Sequence, residues 1–175
     1  MRRELLVGAG RNHAKRMWLK HPAWSDLVTL DINPDHKPDV VHDLNVLPLP
    51  FADDTFDEIH AYEVLEHIGQ QGDWRFFFAQ FTEFWRILKP GGVLLGTSPD
   101  SASRWAWGDP GHTRVISPEA FTFLVQPQYT AQVGNTPMTD YRFVYRADFD
   151  ARLLQNDGGQ FHYILEAVKP SRVSI

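Results

Sequence analysis

The chain has 175 residues, of which 43% are hydrophobic, 13% aromatic and 22% charged, a composition that excludes a disordered polymer and suits one domain with a two-sided core. No cysteine is present, which excludes disulfides, thiolate zinc sites, iron-sulfur clusters and any reaction through a cysteine nucleophile. A formal net charge of -5 gives no general attraction to phosphate backbones or anionic membranes, so neither nucleic acid nor a membrane is the expected partner.

The start passes from two arginines straight into a short apolar run, too short for a signal-peptide core, and no stretch approaches the length that crosses a bilayer; a cytoplasmic location is expected. That first run, residues 4–7, reads as a strand ending at Gly8. Residues 13–20 read as a short helix, 27–32 as a second strand, 39–42 as a third and 58–62 as a fourth, each bounded by polar, Gly or Pro residues. Trp74, Phe77, Phe78, Phe81, Trp85 and Leu88 then recur at spacings of three and four, which predicts an amphipathic helix packed on the sheet. Phe76 and Phe84 fall off that stripe and are predicted to be exposed, and Pro90, Gly91 and Gly92 stop the helix before a fifth strand at 93–96. Residues 97–117 read as a long functional loop. Alternation over 141–149 and 160–168 predicts a terminal hairpin joined by Asn156-Asp157-Gly158-Gly159. Short apolar runs alternating with helical segments predict a parallel sheet with helices on both faces.

Gly8 and Gly10 stand directly between strand one and the predicted helix, where glycine lets the backbone turn tightly and approach a ligand. Asp31 ends the second strand about 20 residues later, where an acidic side chain accepts from both hydroxyls of a ribose. That geometry serves any adenosine ligand. The dinucleotide fingerprint wants a third glycine where His13 stands, which leaves a nicotinamide-dependent oxidoreductase as the rival reading. A third reading is a non-catalytic scaffold domain that uses exposed aromatics.

With VGAGRN after strand one, LDINP at strand two, HDLNVLPLPFADDTFDEIHAYEVLEHI across strands three and four, and FWRILKPGGVLLGTSPD into strand five, the chain resembles the class I S-adenosylmethionine-dependent methyltransferases. Within that class it is similar to the type 11 group that includes ubiquinone and menaquinone pathway enzymes, over about the first 120 residues. The resemblance implies an α/β, Rossmann-like doubly wound fold. Its seven-stranded sheet would be mostly parallel, in the order 3-2-1-4-5-7-6, with a C-terminal antiparallel hairpin and a single domain over 1–175. It implies that Val7, Gly8, Ala9 and Gly10 lie under the methionine part of the cofactor S-adenosylmethionine and that Asp31 holds the ribose. Asp43 and Leu44 would read adenine, Ile32 would lie against its face, and Tyr62 and Glu63 would line the methyl-donor side. Two positions depart from the family pattern: Leu6 replaces its usual acidic residue, and Asn12, a donor for the methionine carboxylate, replaces its third glycine.

EVLEH matches a Glu-x-x-Glu-His pattern that holds a divalent metal in some relatives, so Glu63, Glu66, His67 and His112 are candidate ligands. In metal-free relatives the same letters begin a helix, and no metal is expected here. His67 and His112 are the candidate bases. Trp105, Trp107 and His112 can reach the acceptor edge at the ends of strands four and five. The place after strand four holds Tyr-Glu-Val-Leu rather than the block of DNA amino methylases. A small-molecule methyl acceptor, methylated on O or N, is therefore the expected partner. Strand one lies almost at the start, so the site is expected to be open, or closed by the 97–117 loop or a second subunit of a homo-oligomer.

Overall fold

Every second residue of the first strand points to the same side of the sheet, and this alternation decides what lies on each face. The computed structural model describes residues 1–173. In β1 (Arg3–Val7), Leu5 and Val7 enter the large core while Glu4 and Leu6 face the opposite way. Parallel pairing joins β1 to β2 (Asp26–Asp31) on one side and to β4 (Phe56–Tyr62) on the other. A two-residue β3 (Val40–Val41) forms the edge beyond β2, and β5 (Leu88–Pro99) continues the parallel set beyond β4. The chain then turns back as an antiparallel hairpin of β6 (Phe149–Asn156) and β7 (Gln160–Ala167), with β7 beside β5. The resulting order, β3-β2-β1-β4-β5-β7-β6, is the expected one.

Two strands differ in extent from expectation: β5 runs from Leu88 to Pro99, through Pro90-Gly91-Gly92 and into the expected 97–117 loop, rather than over 93–96, and the hairpin is shifted. The first strand of the hairpin begins at Phe149, where the prediction ended it. Residues 141–147 fold instead as turns, because the Tyr141 carbonyl accepts from the amides of Val144 at 2.9 Å and Tyr145 at 3.0 Å. Tyr129 fixes that turn: its hydroxyl donates to the Thr139 carbonyl at 2.8 Å and accepts from the Tyr141 amide. The turn at 156–159 is as expected, with the Asp157 carboxylate accepting from the amides of Gly159 and Gln160.

On one face lies α1 (Trp74–Ile87), capped by Asp73, whose carboxylate accepts from the Phe76 amide at 3.0 Å. Its buried residues include Phe78, Phe81, Phe84 and Ile87. Phe84 is fully buried, contrary to its predicted exposure, because the steps of three that run 78, 81, 84 carry the stripe through it. Phe76 is half-buried, its ring so close to Gly69 that a Cβ there would meet it at 2.6 Å. Short helices α2 (Arg104–Gly108), α3 (Pro118–Thr122) and α4 (Gln126–Gln132) follow β5.

The other face differs from expectation. The helix expected at 13–20 is absent, and residues 11–25 cross the sheet as an irregular strap. Polar side chains of the sheet hold it there. Lys15, its side chain 2% exposed, reaches Glu4 at 2.5 Å and Glu58 at 2.6 Å. Glu58 also meets His60 Nε2 at 3.0 Å, and His60 Nδ1 meets the Tyr62 hydroxyl at 2.7 Å. That hydroxyl accepts from the amides of Arg16 and Met17, and Glu4 accepts from the Ser25 amide. These amides find partners on the sheet rather than in a helical turn, and so the helix is given up.

Candidate functional site

A cleft opens at the carboxyl ends of β1, β2 and β3, the position at which open α/β sheets bind ligands. Its volume is about 450 Å³, enough for a nucleoside-sized molecule. Gly8 and Gly10 form one wall, both with left-handed backbone, φ 58° and 56°. A Cβ on Gly8 would lie 2.4 Å from Val64, so only glycine fits there. At Gly10 a Cβ would meet nothing within 4 Å, because that position faces open space.

Asp31 organises this wall. Its Oδ2 accepts from the Gly10 amide at 2.7 Å and its Oδ1 from the Asn33 amide at 2.8 Å, with His36 Nδ1 at 3.3 Å. Burial works to raise the carboxyl's pKa, but the Asn33 and Gly10 amides and His36 outweigh it, leaving the group below its ordinary value and ionised. Opposite stand Asp43 and Leu44, on a loop after β3 that Asn45 ties down. Asn45 Oδ1 accepts from the Gly69 amide at 2.8 Å and its Nδ2 donates to Asp43 at 3.0 Å. Ile32 lies in the cleft wall and is 63% exposed, the state of an apolar side chain available to a ring face.

Of the residues singled out in the sequence, Gly8, Gly10, Asp31, Ile32, Asp43, Leu44 and His67 line one cleft. Val7 and Ala9 are buried in the protein's own core, and the Ala9 amide donates to Leu30, so these two support the loop from below. Asn12 is exposed, with its side-chain oxygen occupied by the Ala14 amide. Tyr62 lies on the opposite face of the sheet, in the strap network, and does not line the cleft. Glu63 follows β4 with a left-handed φ of 53° and accepts from Gln160 at 2.9 Å, reaching across to β7. The sequence reading missed Asn45 and His36; HDLN and DINPDH held them within two to five residues of Asp43 and Asp31.

Beyond His67 lies a second group. Ligand atoms of Glu66, His67 and His112 all come within 4.8 Å of one another, and Glu63 is not among them. His67 Nδ1 meets the Gly111 carbonyl at 3.0 Å and its ring stands edge-on to His112 at 4.6 Å. Glu66 is 2% exposed; one oxygen accepts from Ser98 at 3.1 Å and the other has no hydrogen-bond partner. Burial, the largest cause, and the nearby Glu63 charge push its carboxyl up to about 7. His112 Nδ1 is likewise buried without a partner.

Comparison with known proteins gives the family and the fold. Residues 5–96 match the family described as "Methyltransferase domain". A Mycolicibacterium smegmatis protein named "Probable S-adenosylmethionine-dependent methyltransferase" is 33% identical over 87 residues, which is 47% of this chain and 31% of that protein. The matched part is thus about a third of the relative's length. A structure from Archaeoglobus fulgidus, described as a SAM dependent methyltransferase, gives a TM-score of 0.59 at 15% identity, covering 94% of this chain and 86% of that one. The N-methyltransferase NodS from Bradyrhizobium japonicum, in complex with S-adenosyl-L-homocysteine, gives 0.55 at 17% identity over 95% and 78%. At these identities the two structures show a shared fold.

Proposed function

We propose, from the premise that the chain belongs to the methyltransferase domain family matched over residues 5–96, that it transfers a methyl group from S-adenosylmethionine to an O or N atom of a small molecule. The observation that carries this reading is the Asp31 carboxylate, which holds the Gly10 amide and opens onto a nucleoside-sized cleft. Asp31 would receive the ribose hydroxyls and Asp43 with the Leu44 amide the adenine edge, while the backbone at Gly8 and Gly10 leaves room for the rest. When bound, this cofactor supplies a methyl group already activated by its sulfonium. The chain's own task is then to place an acceptor lone pair and to receive the proton the acceptor sheds. His67 suits that role: with Nδ1–H donated to the Gly111 carbonyl, Nε2 keeps its lone pair. His112 stands beside it as the second candidate.

Titration calorimetry with S-adenosyl-L-homocysteine and with NAD tests the reading. The homocysteine nucleoside should bind and NAD should not; binding of NAD alone would make the protein an oxidoreductase instead.

A specific observation supports a second reading of the inner group, since Glu66, His67 and His112 converge closely enough to hold a divalent cation. Expected is unchanged turnover on chelation, because Glu63, the first residue of the Glu-x-x-Glu-His pattern, is engaged by Gln160. Activity lost to a chelator and restored by Mg²⁺ or Zn²⁺ would favour the metal.

A further inference from the structure

A second cavity, of about 260 Å³, lies at the N-terminus of α1 and shares no lining residue with the nucleoside cleft. Its walls are aromatic: Trp74, Phe77, Phe78, Phe123 and Tyr141, with Trp74 and Tyr141 stacked at 4.7 Å. Into this apolar space the chain places Arg114, only 6% exposed. The guanidinium donates through Nε to the Leu65 carbonyl at 2.9 Å and through Nη2 to Gln80 Oε1. Both acceptors are neutral. Among the described residues no carboxylate lies within 4.0 Å of it, whereas Arg86 and Arg172 each hold two.

A buried cation with no carboxylate in direct contact is costly even with the Glu66 and Asp73 charges acting on it from farther off, and a negative group brought against it would offset that cost. Burial lowers the Arg114 pKa to about 10, which leaves it charged at neutral pH. Gln80 Nε2 beside it is buried without a partner. Asp73, a carboxylate at the cavity rim, has one oxygen on the Phe76 amide as the helix cap. That charge admits one negative group near Arg114 and disfavours two.

We propose that this cavity is a binding site for a small monoanionic carboxylate with an aromatic or similarly apolar body, the carboxylate received by Arg114 and the body by the aromatic walls. The site is independent of the nucleoside cleft and does not rest on the reading of that cleft. The size fits: about 260 Å³ accommodates a ring with a short chain rather than a nucleotide. Recognition follows from charge-assisted hydrogen bonding in a low-dielectric wall, which discriminates sharply against a neutral analogue.

Calorimetry with 4-phenylbutyrate, 4-phenylbutanol and 4-phenylbutylamine provides the test. The acid should bind, and the alcohol and amine should bind at least about tenfold more weakly. Arg114→Gln should bring the acid down to the level of the alcohol. Because Arg114 also supports Leu65 and Gln80, that variant can fail to fold; Ala120→Trp, which fills the cavity and leaves Arg114 in place, should abolish binding of the acid while the circular dichroism and the affinity for S-adenosyl-L-homocysteine stay unchanged. Equal binding of acid and alcohol, acid binding that survives Ala120→Trp, or no acid binding up to its solubility would each overturn the proposal.

Discussion

The Asp31 carboxylate divides its lone pairs between the chain and the cleft. One pair on each oxygen goes to the Gly10 and Asn33 amides, His36 Nδ1 stands 3.3 Å from Oδ1, and Oδ2 keeps the pair that a ribose would use first. Asp31→Ala removes both functions together, so the affinity for S-adenosyl-L-homocysteine should fall by about 1.5–3 kcal/mol, read by calorimetry on a protein shown to be folded. Undiminished affinity would refute the ribose role. Glu66 makes the opposite kind of prediction. Its carboxyl is pushed up to about 7, so the protonated form belongs to the folded state. Its contribution to stability is complete below the unfolded value, near pH 4.5, and is lost as pH rises through about 7. Glu66→Gln should therefore stabilise the protein at pH 8 by about 2 kcal/mol, an advantage that shrinks toward zero by about pH 5, as read from urea midpoints across that range. A pH-independent effect would place the cause elsewhere. The motif EVLEH revealed that Glu66 matters; that one of its oxygens is buried without a partner depends on Ser98 and the 100–117 segment, and no local spacing carries that.

At the scale of an element, the strap at 11–25 is the part the sequence misled about. Its apolar residues and its lysine and arginines fit a helical period, and nothing within the segment opposes a helix before Pro22. The contrary signal lay in other strands: Glu4 in β1, and Glu58, His60 and Tyr62 on alternate positions of β4, form a polar row on a sheet face that a helix would cover with apolar residues. Such a row needs charged partners: Lys15 supplies one from the strap, and Arg2 another, 3.0 Å from Glu4 and 3.5 Å from Glu58. Removing Lys15 leaves Arg2 alone against two buried carboxylates, so Lys15→Met should cost about 3 kcal/mol in urea unfolding, the lower end for a broken buried pair because Arg2 still meets both. A loss under about 0.5 kcal/mol would mean that the strap is held by its aromatic contacts instead. One of those contacts is Trp24 against His60 at 4.7 Å.

For the molecule as a whole, the strands of the parallel set were legible because strands buried on both faces write themselves as short apolar runs with glycine or acid at their carboxyl ends, while their order came from the family resemblance. Gly8 and Asp31 could be placed at one edge from the sequence, since they stand at the carboxyl ends of β1 and β2, while Asp43, two residues past β3, was placed through the resemblance. The pairing of His67 with His112 was a candidate only through resemblance, since 45 residues separate them and the register of the 100–117 segment decides whether they meet. Residues 141–147 were misassigned for a similar reason: aromatic alternation there serves packing around Tyr129, and among the described residues no strand partner stands opposite. The strap also sets where the folded chain is open to attack by a protease. Arg11, Arg16 and Lys20 are exposed on it, whereas the Lys15 side chain is sealed against Glu4 and Glu58. Trypsin can therefore cut after Lys15 only when the strap lifts from the sheet, and the rate of that one cleavage, compared with cuts after its exposed neighbours, measures how often the protein opens on that side. The glycine wall of the cleft leads directly into the strap, so a ligand that steadies the wall should slow the Lys15 cut most.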